Sequence, residues 1–391
     1  MNPEEIASRA EEVAEDIRTR GHCSRLAYVD VSLAYCSDED ATAEWMKQFF
    51  EGYFLQSDAR EADATIYSTK DPGLFSSLHG VGAQQSVGGK QAYAEIPLTN
   101  SVTLIRKKAD KVQPPEDVYL LLFREVRKIV LVTSGNLEVR REEGMQTLRA
   151  LSKWLLLERG WIPMHSACAA KNGRTICVTG PKASGKTSTL LNLLARNGCD
   201  LVAVDKFLIR DGGSHLEVCG IPGKIGIRVG SAVGHPQLLN WLSDATAPFF
   251  PHISREEVRH IADTNTPEQL RTRGEKIHLT PTELAELFGG SITPAAPLGL
   301  VLIPVFDLSV EESRLSRTEP EQAIRMLREC YAGLLSKGEG FLQHFFDLDD
   351  ALLEERLATL LDKHLPETKT YEVLQNHRTN EQTADLVAEL L

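Results

Sequence analysis

The stretch from Arg174 to Gly198 constrains this chain more than any other. Gly180 to Thr187 reads G-x-x-x-x-G-K-T, the spacing of a phosphate-binding P-loop. Its surroundings carry the match. Thr175 to Thr179 is a short run with β-branched residues, the pattern of a buried strand. Leu190, Leu191, Leu193 and Leu194 then lay an apolar stripe at helical spacing, and Gly198 offers a helix stop. Strand, glycine loop and helix in that order aim backbone N–H groups and the positive helix end at an anion.

Roles follow from the chemistry of such a loop. Gly180 and Gly185 let the backbone turn and approach a ligand with no Cβ in the way. Ala183, Ser184 and Ser188 complete the ligand-facing set. Lys186 is placed to reach the β- and γ-phosphates of a nucleotide. The Thr187 hydroxyl is placed to ligate the Mg²⁺ that accompanies them. Leu201 to Val204 is the next apolar run and ends in Asp205. A carboxylate there suits a second metal ligand or a base better than the alternative of a plain strand-end turn.

Composition narrows the class. A chain of 391 residues predicts two or three domains, and 42% hydrophobic with 25% charged residues is ordinary for a globular protein. The formal net charge of −12 argues against a broad nucleic-acid surface. No apolar run approaches the length of a membrane span, and the acidic N-terminus has no signal-peptide apolar region. Seven cysteines stand singly with no CxxC spacing, which disfavours both zinc and a disulfide framework. A reducing cytoplasm is the expected compartment. A homo-oligomer is compatible with this composition but not specified by it.

Before Glu142 the sequence reads as an α+β domain of short strands, residues 1–142, with no recognisable chemistry. An acidic helix is expected over 3–20, a strand over Leu26–Tyr35, a helix from Asp38 toward Phe54, and a loop over Gly80–Gly89. Residues 143–391 form the second domain. It opens with an amphipathic helix over Gly144–Glu158 and a hairpin, Ser166–Ala170 with Thr175–Thr179, turned by Asn172-Gly173. Thr280-Pro281 with Glu283 reads as a capped helix start. Leu298 to Phe306 reads as a buried strand, and further helices are expected near Glu319–Leu335, Asp349–Lys363 and Glu381–Leu391.

His165-Ser-Ala, the hairpin, Gly180 to Thr187, Leu201 to Asp205 and Leu216-Glu-Val-Cys-Gly-Ile-Pro together resemble the HPr kinase/phosphorylase family and its wider set of HPr-kinase-like kinases. The resemblance covers roughly residues 145–310. It implies a mixed α+β fold of the HPr kinase/PEP carboxykinase type, with mixed β-sheets and flanking helices around the P-loop. It implies Lys186 and Thr187 at the phosphate and Mg²⁺ positions, and Asp205 where the family carries the second of two consecutive aspartates. The first is Val204 here. Glu217 falls on the family's functional glutamate, while the arginine of that motif is Cys219 and its last glycine is Pro222.

The expected function is an ATP-dependent kinase that transfers the γ-phosphate to a hydroxyl on a small molecule or peptide. Lys186, Asp205, His165 and Glu217 are its candidate catalytic residues. Lys224, Arg228, Arg271, Arg273 and Lys276 are candidates for grasping phosphate, with Arg273 and Lys276 favoured because they flank Gly274. The alternative is a nucleotide-binding regulatory or assembly module with little transfer, since one aspartate is missing. A PEP-carboxykinase-like decarboxylase is the weakest reading, because its further metal ligands are not found.

Overall fold

The computed structural model describes all residues except 58–60, 83–92, 110–113, 245–248, 251–252, 267–268, 271–272, 308, 335–338, 377–378 and 391. The chain divides into two compact units, Met1–Gly160 with Leu334–Asp349, and Trp161–Gly333 with Asp350–Leu391. The helix that heads the second domain in the sequence reading therefore lies in the first unit.

The first unit is built on one mixed sheet of eight strands in the order β3-β1-β2-β4-β8-β7-β6-β5. Their ranges are β1 His22–Tyr28, β2 Val31–Ser37, β3 Leu55–Gln56, β4 Ala64–Thr69, β5 Tyr93–Pro97, β6 Val102–Ala109, β7 Glu116–Phe123 and β8 Lys128–Thr133. The central β2, β4 and β8 are parallel, and the remaining pairs are antiparallel. Four helices join them: α1 Pro3–Arg20, α2 Asp40–Phe49, α3 Pro72–Gly82 and α4 Leu137–Glu158. A capping box between Asn2 and Glu5 starts α1. Its buried Ile6, Ala10, Val13 and Ile17 pack with α3 on the sheet face that carries Tyr67, Val130 and Val132. The opposite face meets α4, where Gly144 leaves room for Tyr35 and the fully buried Arg140 bonds Ser37, Ser68, Asp38 and Glu39.

Three local expectations change here. The alternation over Leu26–Tyr35 belongs to two strands, not one. Tyr28 pairs with Val31 across a tight turn, and Val29 takes a left-handed φ of 54°. That turn has none of the Asn-Gly chemistry that normally signals it. The glycine-rich segment begins as the end of α3, and its remainder lies outside the described residues. The cysteines are not all free. Cys23 and Cys36 face one another across β1 and β2 and form a disulfide. The other five are buried thiols. The disfavoured disulfide is thus corrected by strand register, which spacing alone does not reveal, and a reducing compartment no longer follows from the cysteines.

The second unit has a nine-stranded mixed sheet and a two-stranded one. In chain order the strands are β9 Ile162–Met164, β10 Ala167–Lys171, β11 Arg174–Val178, β12 Asp200–Ala203, β13 Phe207–Asp211, β14 Leu216–Gly220, β15 Ile225–Arg228, β16 Lys276–Leu279, β17 Ala295–Phe306, β18 Arg314–Arg317 and β19 Lys369–Gln375. The 12-residue β17 is its spine. Its first residues pair antiparallel with β14, and its later ones pair parallel with both β11 and β19. The helix α5, Lys186–Asn197, packs Leu190, Leu191, Leu193 and Leu194 into the core with Ile176, Val178, Leu300 and Leu302. Each such leucine contributes about 2 kcal/mol by burial. Gly198 closes α5 in the left-handed conformation, φ 56°, as the sequence predicts.

Candidate functional site

Strand direction decides what meets at the end of β11. Val178 pairs with Leu302 of the parallel β17, and Pro304 of β17 pairs with Val373 of the parallel β19. These three strands therefore present their carboxyl ends together. On the other side, β10 is antiparallel to both β11 and β12. That makes β12 run with β11, and Asp205 arrives two residues beyond Ala203, beside the start of β10. Crevices at the carboxyl ends of parallel strands are where ligands bind in α/β sheets.

The loop between β11 and α5 holds an unusual backbone. Gly180, Ala183 and Gly185 have φ of 144°, 65° and 104°. A Cβ on Gly180 would stand 3.1 Å from Ser184 Oγ, and one on Gly185 only 2.8 Å from Gln375 Nε2. The root of the loop is pinned. The Thr179 N–H donates to Leu302 O at 2.9 Å, and Ser166 Oγ donates to Val178 O at 3.0 Å. Among the described residues no side chain caps α5, so its first-turn N–H groups have no side-chain cap acceptor there. Ser184 is 5% exposed, and its hydroxyl has no hydrogen-bond partner among the described residues. A buried hydroxyl without a partner costs free energy that an acceptor on a ligand would restore.

Lys186 folds back along this loop. Its Nζ donates to Gly180 O at 2.7 Å and Pro181 O at 2.9 Å. Burial lowers the lysine pKa below its ordinary value, while Cys330 and Asp205 act in the opposite direction. Across from it, His165 Nε2 lies 3.6 Å from Asp205 Oδ1, with side chains 51% and 69% exposed. The His165 N–H donates to Cys330 O at 2.7 Å, and Cys330 Sγ lies 3.1 Å from Thr179 Oγ1. Thr187 is half-buried in the first turn of α5, and Ser188 Oγ reaches Ser231 Oγ at 3.5 Å. Lys186, Asp205 and His165 thus share one edge with the loop. Cys330 and Gln375 join them from distant sequence, with no motif to announce either.

Other candidates stand apart. Glu217 accepts from Arg210 Nε at 2.7 Å, and that guanidinium stacks 4.4 Å over the Trp161 ring. Gly220 of β14 pairs with Phe207, just past Asp205, whereas Glu217 pairs with Arg210 farther along. Three residues of strand put Glu217 about 10 Å from that end. Its carboxylate serves an ion pair in the sheet. Arg273 is engaged by Glu275 and by Asn265, the latter at 3.1 Å. Lys276 opposes Arg228 in the small sheet and lies over Gly226. Lys224 sits 4.2 Å over the Phe250 ring. Arg271 lies outside the described residues.

Among the described residues, no group of three His, Cys, Asp or Glu side chains is arranged to hold a metal ion. A Mg²⁺ site with few protein ligands remains compatible with the edge, because that ion keeps waters and takes substrate phosphates with one or two protein groups. Thr187 and Asp205 are the residues present that would serve.

No family model matches the chain, and no curated protein matches it. Among solved structures it is similar to the HPr(Ser) kinase/phosphatase of Coxiella burnetii, at 12% identity and a TM-score of 0.27, over 58% of this chain and 94% of that one. A likeness this slight assigns nothing at the site. No described helix is long and apolar enough to cross a membrane.

Proposed function

We propose that this chain is a phosphotransferase that takes the γ-phosphoryl group of ATP, or another nucleoside triphosphate, to a hydroxyl on a small molecule or peptide. The observation that carries the reading is the half-buried Lys186, held at the mouth of an uncapped helix with the Asp205–His165 pair across the same edge. Phosphoryl transfer asks for little covalent work from a protein. It needs positioning, charge neutralisation and a group to take the acceptor's proton. The backbone N–H groups of the loop and Lys186 meet the first two needs. Asp205, aligned with His165, meets the third. Mg²⁺ held by Thr187 and Asp205 would neutralise the phosphates' charge. Glu217 has no part in this scheme, because Arg210 already occupies its carboxylate.

A nucleotide-binding module with negligible transfer is the second reading. It is favoured by Val204 in the place of a second carboxylate and by the 69% exposure of Asp205. Release of ADP across a panel of hydroxyl acceptors separates the two. Acceptor-dependent ADP supports the phosphotransferase, and tight MgATP binding without acceptor-dependent ADP supports the module.

A further inference from the structure

A residue some 190 positions downstream packs against the loop. Gln375 ends β19, is 1% exposed and opposes Phe306 in the register with β17. Its carboxamide bridges two elements. Nε2 donates to Thr189 Oγ1 in the first turns of α5 at 2.8 Å. Oε1 accepts from Thr383 Oγ1, in the helix Asn380–Ala388, also at 2.8 Å. Thr383 continues to Ser313 Oγ at 3.3 Å, and Ser313 donates to Thr379 O. Every heteroatom of the amide is thus engaged away from water. The same Nε2 stands 2.8 Å from where a Cβ of Gly185 would be, so the amide packs against the second glycine of the motif, whose φ of 104° already favours glycine. The main chain adds a brace, since Asp307 N–H donates to Gln375 O at 3.0 Å.

We propose that Gln375 is a positioning residue for the loop 180–187. It fixes the entry of α5 so that the first-turn N–H groups and Lys186 converge on one anion, and it ties that geometry to the C-terminal strand and helix. The role rests on the phosphotransferase reading only in the identity of the anion. A buried amide bonded on both sides is costly to leave half-made, so the entry of α5 has one arrangement with Gln375 in place. An error near 1 Å in a positioning group can lower function about a hundredfold.

Hydrogen exchange of the full-length chain, read by mass spectrometry without ligand, tests the positioning directly. Gln375→Leu is expected to speed exchange of amides between Gly180 and Thr189 at least roughly tenfold, with amides of β10 and the helix Pro320–Glu329 unchanged. Equal exchange in the loop, or a uniform rise throughout the second unit, would overturn the proposal. Gln375→Glu is the second variant and serves if the leucine variant does not fold. Buried there, its carboxyl stays protonated, accepts from Thr383 and donates to Thr189 Oγ1 as the amide does, so loop exchange should stay near wild type. A neutral carboxyl of the same shape should also leave MgATP affinity near wild type. Loop exchange raised about tenfold in that variant, with both bridges kept, would overturn the proposal. Wild-type protein that binds no MgATP would overturn the phosphotransferase reading alone, because the exchange pattern still decides what Gln375 does.

Discussion

His165 Nε2 lies 3.6 Å from Asp205 Oδ1, although one precedes β10 and the other follows β12. The antiparallel pairing of those strands, with Cys168 opposite Ala203, brings the two side chains to one edge. In the proposed phosphotransferase, the imidazole that faces the carboxylate would steady it for work on an acceptor hydroxyl. Asp205→Asn keeps size and hydrogen bonding but cannot take a proton. Turnover with an acceptor should fall on the order of 10²- to 10⁴-fold, with MgATP affinity changed far less. Steady-state kinetics beside equilibrium binding checks this split. Unaltered turnover would move the base elsewhere.

Ala183 is held at φ 65° inside the loop. Left-handed backbone costs a non-glycine residue about 1 kcal/mol, and glycine removes that cost while it adds freedom to the unfolded chain. Ala183→Gly should therefore leave the thermal midpoint within a few degrees of wild type and preserve MgATP binding. A β-branched residue is worse suited to this φ, so Ala183→Val should lower both. Calorimetry with a binding titration on each variant measures the contrast.

The Cys23–Cys36 bond closes a short segment between the first two strands of the sheet. Loops of this length gain about 3 kcal/mol from a crosslink, chiefly through the unfolded chain. Cys23→Ser with Cys36→Ser should lower stability of the first unit by that order. Thiol titration of the denatured chain should count two fewer reactive groups than the seven cysteines of the sequence. Seven titratable thiols without reductant would contradict the pairing.

His235 is buried beside Phe288, and its Nε2 has no partner among the described residues. Burial, aided by the positive Arg196, lowers its pKa to about 4. An unfolded chain binds a proton at this histidine near pH 6.5, and the folded chain does not until near pH 4. Stability from the neutral ring is therefore full above pH 6.5 and is lost as the pH falls toward 4. Between pH 7 and 5 the loss is about 2 kcal/mol. His235→Leu should flatten the acid side of the stability curve by that amount. Urea unfolding at the two pH values, for wild type and variant, reads it.

Local chemistry made much of this fold legible. The loop, its flanking strand and helix, the Asn172-Gly173 hairpin and the Thr280–Glu283 capping box all depend on residues a few positions apart. Both turn residues of that hairpin take the left-handed φ that a tight Asn-Gly hairpin turn requires. Contributions from afar were not legible. Gln375 and Cys330 reach the loop only because β19 runs parallel to β17 and residues 330–332 lie along β9. Glu217 looked available because its partner, Arg210, faces it only in the register of β13 and β14. Cys23 and Cys36 meet for the same kind of reason. Register joins residues whose separation in sequence carries no signal, and side-chain partners remove candidates that composition leaves standing.

Calorimetric titration of MgATP into wild type and Lys186→Ala tests the central claim most directly. Saturable binding to wild type is expected, with affinity weaker by about a hundredfold or more in the variant, at an unchanged thermal midpoint without ligand. Equal affinity in the two proteins would contradict it.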